Sequence, residues 1–319
     1  MSLKTTPSWK TRLWAVVKYE LLWNIRKKKF LGMVAIAFAL ATLSLILPVI
    51  LSNVIGQPLS KNPNYVISSG IGIGGLGMFL FAVVTVMNSI SGEFESGTIV
   101  PLLTKPVSRT MVFIGKLFAA FITLFLTYGV LFLYMTIGGT LIYGPQNNLH
   151  LVPLSLLGSI LSTLVWIAIV LAIGSVSKSS LMAALGTFGI FIALTIGASI
   201  ISVFSEQAWV LNYAPGSGAT GYIKGVASDN PYGLAVSTGT DSIAANIVNY
   251  ALYPSANVTY VKINLPVAEQ PSSMSELYTE LYAEPLSFVL IRSISVAAAY
   301  TLAFLFLSWY AFKRAQVLE

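Results

Sequence analysis

Glu93 and Glu95 stand two residues apart in the run Gly92-Glu93-Phe94-Glu95-Ser96-Gly97-Thr98, which joins two long apolar stretches. The polar run continues through Pro101, Leu102, Leu103, Lys105 and Pro106 to Ser108, Arg109 and Gly115-Lys116. From the residues alone two accounts stay open. One is an ordinary polar loop whose acids favour the positive end of a helix dipole. The other is a short helix near the membrane plane that contacts a cytoplasmic partner, broken by Pro101 and Pro106, with Lys105 and Arg109 close to lipid phosphates.

Other chemistry is sparse. His150 is the single histidine and reads as a solvated loop residue rather than a metal ligand. With no cysteine, disulfides, Fe–S clusters and thiolate zinc sites are excluded. The chain has neither G-x-x-x-x-G-K-[ST] nor H-E-x-x-H, so it does not bind ATP by a P-loop or hydrolyse by that zinc motif. No carboxylate falls within an apolar stretch, which argues against intramembrane aspartate chemistry. Ion-coupled transport places ionisable groups near the midplane, and none is expected there. No catalytic residue and no metal ligand is assigned.

The elements that must position these residues are membrane spans. Of 319 residues 56% are hydrophobic and 9% charged, where a soluble domain carries about 25% charged; mean hydropathy is +0.81. A bilayer core needs ~20 apolar residues as helix, and six stretches qualify: 30–52, 66–91, 110–139, 151–176, 180–204 and 286–312. The net charge of +7 does not point to nucleic acid, because the basic residues flank apolar spans. One side, with residues 1–29, the 92–116 loop, Lys178 and the C-terminus, has fourteen basic and four acidic residues; the other has four and seven. The excess of Lys and Arg makes the first side, and both termini, cytoplasmic, in a cell or inner membrane.

The chain therefore reads as an all-α polytopic membrane protein of six transmembrane helices. Residues 1–29 form a cytoplasmic, interfacial N-terminal segment, with Trp9, Trp14, Tyr19 and Trp23 among basic residues. Spans one to five occupy 30–204, with the loop at 92–110. Residues 205–285 form a small α+β external segment packed on the outer mouth, and 286–319 hold span six and the C-terminus. In the external segment Asp241 is expected to cap a helix at 242–252, and Val258–Leu265 alternates as a strand. Ser273-Met274-Ser275-Glu276 fits a capping box opening a helix to about Glu284. Asn257-Val258-Thr259 reads as a strand start, with a glycosylation sequon as the alternative. Arg292 is expected to pair with Glu284 or a headgroup. Gly70, Gly72, Gly74, Gly75 and Gly77 crowd the outer end of span two, with Gly186, Gly189 and Gly197 in span five. They serve either tight packing within one subunit or a flexible dimer interface at an outer gate.

The run Glu93-x-Glu95-Ser96-Gly97-Thr98-Ile99-x-x-Leu102-Leu103-x-x-Pro106-x-Ser108-Arg109, followed by Gly115-Lys116, looks like that of ABC-2 type permeases. These are membrane subunits of type V ABC transporters, the NosY-like and sodium-efflux-like branches included. Tyr19-Glu20-Leu21-Leu22, with Ile25-Arg26, resembles the family's connecting helix ahead of span one. The external segment is longer than the family's usual link between spans five and six. The resemblance implies that 92–106 is a coupling helix fitted into a separate ATPase subunit, through Glu93, Glu95, Gly97, Thr98, Leu102 and Pro106. It implies that Arg26, Arg109 and Lys116 anchor helix ends to headgroups. Two permease subunits, alike or different, would enclose a pathway lined by spans two and five, with Gly70, Gly74, Gly77 and Gly189 along it. ATP and Mg would bind two copies of the partner ATPase, and no cofactor this chain. The expected function is that of the permease subunit of an ATP-driven exporter. The rivals are an ATP-independent secondary transporter or channel, and a membrane-anchored scaffold using its external segment.

Overall fold

The computed structural model describes residues 8–56, 58–59, 61–98, 107–204, 208–226, 232–263 and 278–315. Helix α1 (Trp9–Arg26) opens at Ser8, whose hydroxyl accepts the Thr11 amide at 3.3 Å. A single extended residue, Lys27, turns the chain into α2 (Lys28–Ile55), which closes on Gly56 in the left-handed region. Along α2, Phe30, Met33, Ala37, Ala41 and Leu45 recur at steps of three and four and are buried. Leu31, Ile36, Leu43 and Leu47, on the other sides, stay exposed, as suits a lipid-facing span.

Spans three to six follow as α6 (Arg109–Tyr143), α7 (Val152–Ser177), α8 (Ser180–Phe204) and α10 (Leu286–Arg314). With α2 and the stretch Gly74–Glu95, six helical stretches among the described residues are long and apolar enough to cross a membrane. The six expected spans are thus present. Helix α7 is the most buried of them. It is tied to α6 by Tyr128 and Thr163 (2.8 Å between hydroxyls) and to α10 by Ser175 and Ser308 (2.8 Å). Trp166 meets Phe79 edge-on, with ring centroids 5.3 Å apart.

Span two is not one helix. It runs as α3 (Tyr65–Ser69), a glycine link, α4 (Gly74–Val86), a turn, and α5 (Ser91–Glu95). The break follows from Gly70, Gly72 and Gly74, at φ +59°, +70° and +63°, a region that side chains resist. At Gly72 a Cβ would come within 2.9 Å of the Met135 sulfur and the Ser44 hydroxyl. Below the break, α4 and α5 carry the chain to the face where α1 and the C-terminal end of α10 also lie, here the proximal face.

At the opposite, distal face a four-stranded antiparallel sheet has the order β2-β1-β3-β4. Its strands are β1 (Thr220–Ile223), β2 (Leu234–Ser237), β3 (Asn257–Ile263) and β4 (Tyr278–Pro285). The strand expected from Val258 is β3, and Asn257 is its first residue. The helix expected to reach Glu284 is instead β4 from Tyr278 onward; its capping box lies outside the described residues. Pairing with β3, from Asn257 opposite Pro285 to Ile263 opposite Tyr278, overrides the local helix signal. Arg292 grips Glu284 through both terminal nitrogens, at 2.5 and 2.8 Å, and so ties β4 to α10.

The expected helix at 242–252 is α9 (Ile243–Leu252), but Asp241 does not cap it. Its carboxylate accepts Trp166 Nε1 at 3.0 Å. Nor does this segment merely rest on the outer mouth. Ser162 donates to the Thr240 carbonyl at 2.7 Å and Ser293 to that of Thr238 at 2.8 Å. A Cβ on Gly158 would strike Ala244 Cα at 2.7 Å. Ser162 is fifteen residues from the end of α7 at Ser177, or ~22 Å at 1.5 Å per residue, within a hydrocarbon core of ~30 Å. Residues 238–244 thus descend into the bundle. They bring the Asp241 carboxylate to a depth where the spans themselves carry no acid.

The close approach at Gly158 supplies the check on this placement. Gly158→Val would drive its side chain into the Ala244 backbone, and overpacking of this kind costs about 1–3 kcal/mol. The melting temperature of this variant in detergent should fall clearly below that of the parent. A variant as stable as the parent would contradict the descent of residues 238–244 into the bundle.

Candidate functional site

The acidic run found in the sequence lies at the proximal face, where α5 is held from two sides. On one side Glu93 Oε1 accepts Lys116 Nζ at 2.7 Å, and the same ammonium reaches Glu20 Oε1 at 2.6 Å. Glu20 and Lys116 are each 5% exposed, so the pair is sealed from water. Three elements meet there: α1 supplies Glu20, α5 Glu93 and α6 Lys116. Gly115 allows the approach, since a Cβ there would sit 2.6 Å from Val16 Cγ1 of α1.

On the other side Glu95 acts as a cap borrowed by α8. Its carboxylate accepts the Ser180 amide at 2.7 Å, the Ser180 hydroxyl at 2.6 Å and the Ser179 hydroxyl at 3.0 Å. The first amides of a helix lack internal partners and carry the positive end of its dipole, so a carboxylate there is doubly favourable. Phe94, between the two acids, meets Phe312 edge-on at 6.1 Å, and the Lys178 ammonium stands 5.8 Å from its ring centroid. Gly97, at φ +68°, ends the element. Ser96, Gly97 and Thr98 are exposed. Glu93 Oε2 is buried with no hydrogen-bond partner among the described residues.

Two expected headgroup anchors are differently employed. Lys116 is buried between two carboxylates, because a cation two turns inside a span finds partners on neighbouring helices before it finds water. Arg109 donates to the carbonyls of Phe312, Lys313 and Ala315 at 3.3, 3.0 and 2.7 Å. It thereby closes the C-terminal end of α10, where carbonyls lack intrahelical partners. Arg26 is exposed at the last position of α1. Leu102 and Pro106 lie outside the described residues. Among the glycines, Gly70, Gly74 and Gly189 have open space where a Cβ would be, while Gly77 packs on Ile73 of its own segment at 2.7 Å. His150 is exposed in the turn Leu149–Leu151.

Sequence reasoning quoted Glu20 only within the run that resembles a connecting helix, gave it no partner, and passed over Ser179 and Ser180. A signal existed for each: Glu20 is the lone acid in residues 1–29, and the serine pair directly opens a span. Lys27 belongs to the same neighbourhood. It donates to Asn24 Oδ1 at 3.1 Å, and burial lowers its amine to about 8, with Glu20 acting in the opposite direction. No group of residues that could hold a metal occurs among the described residues. Helix α5 is bonded to α6 through Glu93, and by way of Lys116 to Glu20 of α1, and to α8 through Glu95.

A family model described as ABC-2 family transporter protein matches residues 14–317, nearly the whole chain. No curated protein matches it.

Replacing Lys116 strands two buried carboxylates. Lys116→Met should cost about 3–5 kcal/mol, the range for leaving one member of a buried pair unpaired. The readout is a lowered melting temperature in detergent. The triple variant Glu20→Gln/Glu93→Gln/Lys116→Met should recover most of the loss. A single variant as stable as the parent would mean the three groups are not coupled.

Proposed function

We infer how this protein works from the premise that it belongs to the ABC-2 family of transporter proteins and is a multi-pass membrane permease subunit of an ABC transporter. In this reading the proximal face is cytoplasmic, and α5 is the element that a separate ATPase subunit pushes. Two permease subunits pair with two ATPase subunits, which hold the ATP and Mg. Closure of the ATPase pair displaces α5, and the displacement reaches the pathway through Glu95 on the start of α8 and through Glu93 on α1 and α6. The chain itself carries out no hydrolysis. An apolar pathway between two copies, bordered by α4 and α8, suits export of lipids, hydrophobic peptides or amphiphiles. The observation that carries the reading is the two-sided hold on a five-residue helix whose C-terminal end, Ser96 to Thr98, is free to meet a partner.

One observation favours a second reading. Asp241 supplies a carboxylate beside Trp166 of α7, where the spans themselves carry no acid. An ion-coupled secondary transporter would use such a carboxylate, and would need no ATPase.

The test is co-purification in detergent after co-expression with an ABC ATPase subunit from the same organism. Thr98→Arg alters the exposed end of α5 without touching either internal acid. The parent should retain the ATPase, and Thr98→Arg should lose it at an unchanged melting temperature. Equal retention by both would place the contact elsewhere. No retention by the folded parent would move the ion-coupled reading ahead.

A further inference from the structure

The outward flank of α1 has a composition that the coupling cluster does not use. Helix α1 ends at Arg26 and a membrane span begins at Lys28, so its last turn stands beside the point where α2 enters the bilayer. Its inward side is spoken for by Val17, Glu20 and Asn24, all buried. The outward side presents Lys18, Tyr19, Trp23 and Arg26, and the exposed Lys28 and Lys29 continue it. Tyr19 is 62% and Trp23 53% exposed, unusual values for aromatic residues that packing could have hidden. The only acid between residues 8 and 29 is Glu20, and Lys116 already engages it. The exposed charge of this surface is therefore all of one sign.

Aromatic rings and cations alternating beside a span match a phospholipid surface. Indole and phenol rings favour the headgroup level, with polar tips in water and rings among acyl carbons. Each Lys or Arg near an anionic leaflet strengthens attachment about fivefold, and near a neutral one much less. Apolar residues are spread around α1 rather than gathered in one stripe, so deep insertion of a face is not the device; charge and aromatic contact are.

We propose that the outward flank of α1 and the start of α2, with Lys18, Tyr19, Trp23, Arg26, Lys28 and Lys29, binds the headgroups of anionic phospholipids in the leaflet at the proximal face. The same helix holds Lys116 through Glu20, and Lys116 holds Glu93. Lipid on one flank of α1 therefore steadies the support of α5 on the other. The site needs only the membrane-spanning reading of α2. It stands or falls independently of the ATPase.

The test uses the full chain in lipid nanodiscs without any partner. Discs of one fixed mixture of phosphatidylcholine and phosphatidylglycerol carry bromine on the acyl chains of one lipid or the other, at equal mole fraction of brominated lipid. Comparing the parent with Trp23→Phe isolates the quenching of Trp23. Brominated phosphatidylglycerol should quench Trp23 at least about twice as strongly as brominated phosphatidylcholine, and the preference should fade as salt is raised. It should also fade in Lys18→Gln/Arg26→Gln/Lys28→Gln/Lys29→Gln. The lipid comparison on the parent decides the matter if that variant does not fold. Equal quenching by both lipids would overturn the proposal, as would no quenching by either, the result expected if protein covers this flank.

Discussion

One ammonium organises the proximal half of the molecule. Lys116 lies too far inside α6 to reach water and too near other helices to remain alone. An unpaired charge there would be untenable, and α1 and α5 each deliver a carboxylate to it. That requirement sets where α1 crosses α6, explains the glycine at 115, and keeps α5 from drifting away from the bundle. The interaction contributes little as net stability, because desolvation offsets most of the attraction. Its effect is positional: three segments far apart in sequence share one point.

The distal half depends on a different device. Helix α7 carries serine and threonine along its buried side, and several of these hydroxyls bond back to their own helix, as Ser159 does to Ser155 and Thr163 to Ser159. Ser162 bonds both its own turn and the incoming Thr240 carbonyl. A non-helical stretch is tolerable at membrane depth only when protein surrounds its backbone and meets its polar groups. The hydroxyls of α7 and α10, the Trp166 indole and the missing side chain at Gly158 together provide such a lining. The segment between spans five and six is thus part of the bundle as much as a cap on it.

Much of this was legible beforehand. Apolar length alone located the spans, since a helix of ~20 apolar residues satisfies its own backbone groups across a bilayer. The acidic run was visible because charge is so rare around it. Partnership was not visible. Glu93, Glu95, Lys116 and Arg109 were read by depth and neighbours in sequence, yet Glu93 bonds residue 116, Glu95 residues 179 and 180, Lys116 residues 20 and 93, and Arg109 the carbonyls of 312, 313 and 315, and no local pattern encodes such pairings. The glycines of span two announced close packing, whereas the break depended on the sign of φ at three of them. Residues 278–284 were assigned by a capping pattern upstream, and lost to a ladder with β3 that only the tertiary fold supplies. Asp241 stood in the right place for a cap, and a tryptophan 75 residues away claimed it.

The joint between α7 and α8 has only two residues, and Lys178 adopts φ +55° without being a glycine. Spans three, four and six are cross-linked by Tyr128 with Thr163, Ser175 with Ser308, and Arg109 with the last carbonyls of α10. Helix α8 follows at a joint whose torsion sits in a narrow well, and the Glu95 carboxylate holds the amide and hydroxyl of its first residue. The base of α8 is therefore pinned twice, by the short joint on α7 and by an acid from α5, so its starting point is set from both neighbouring spans.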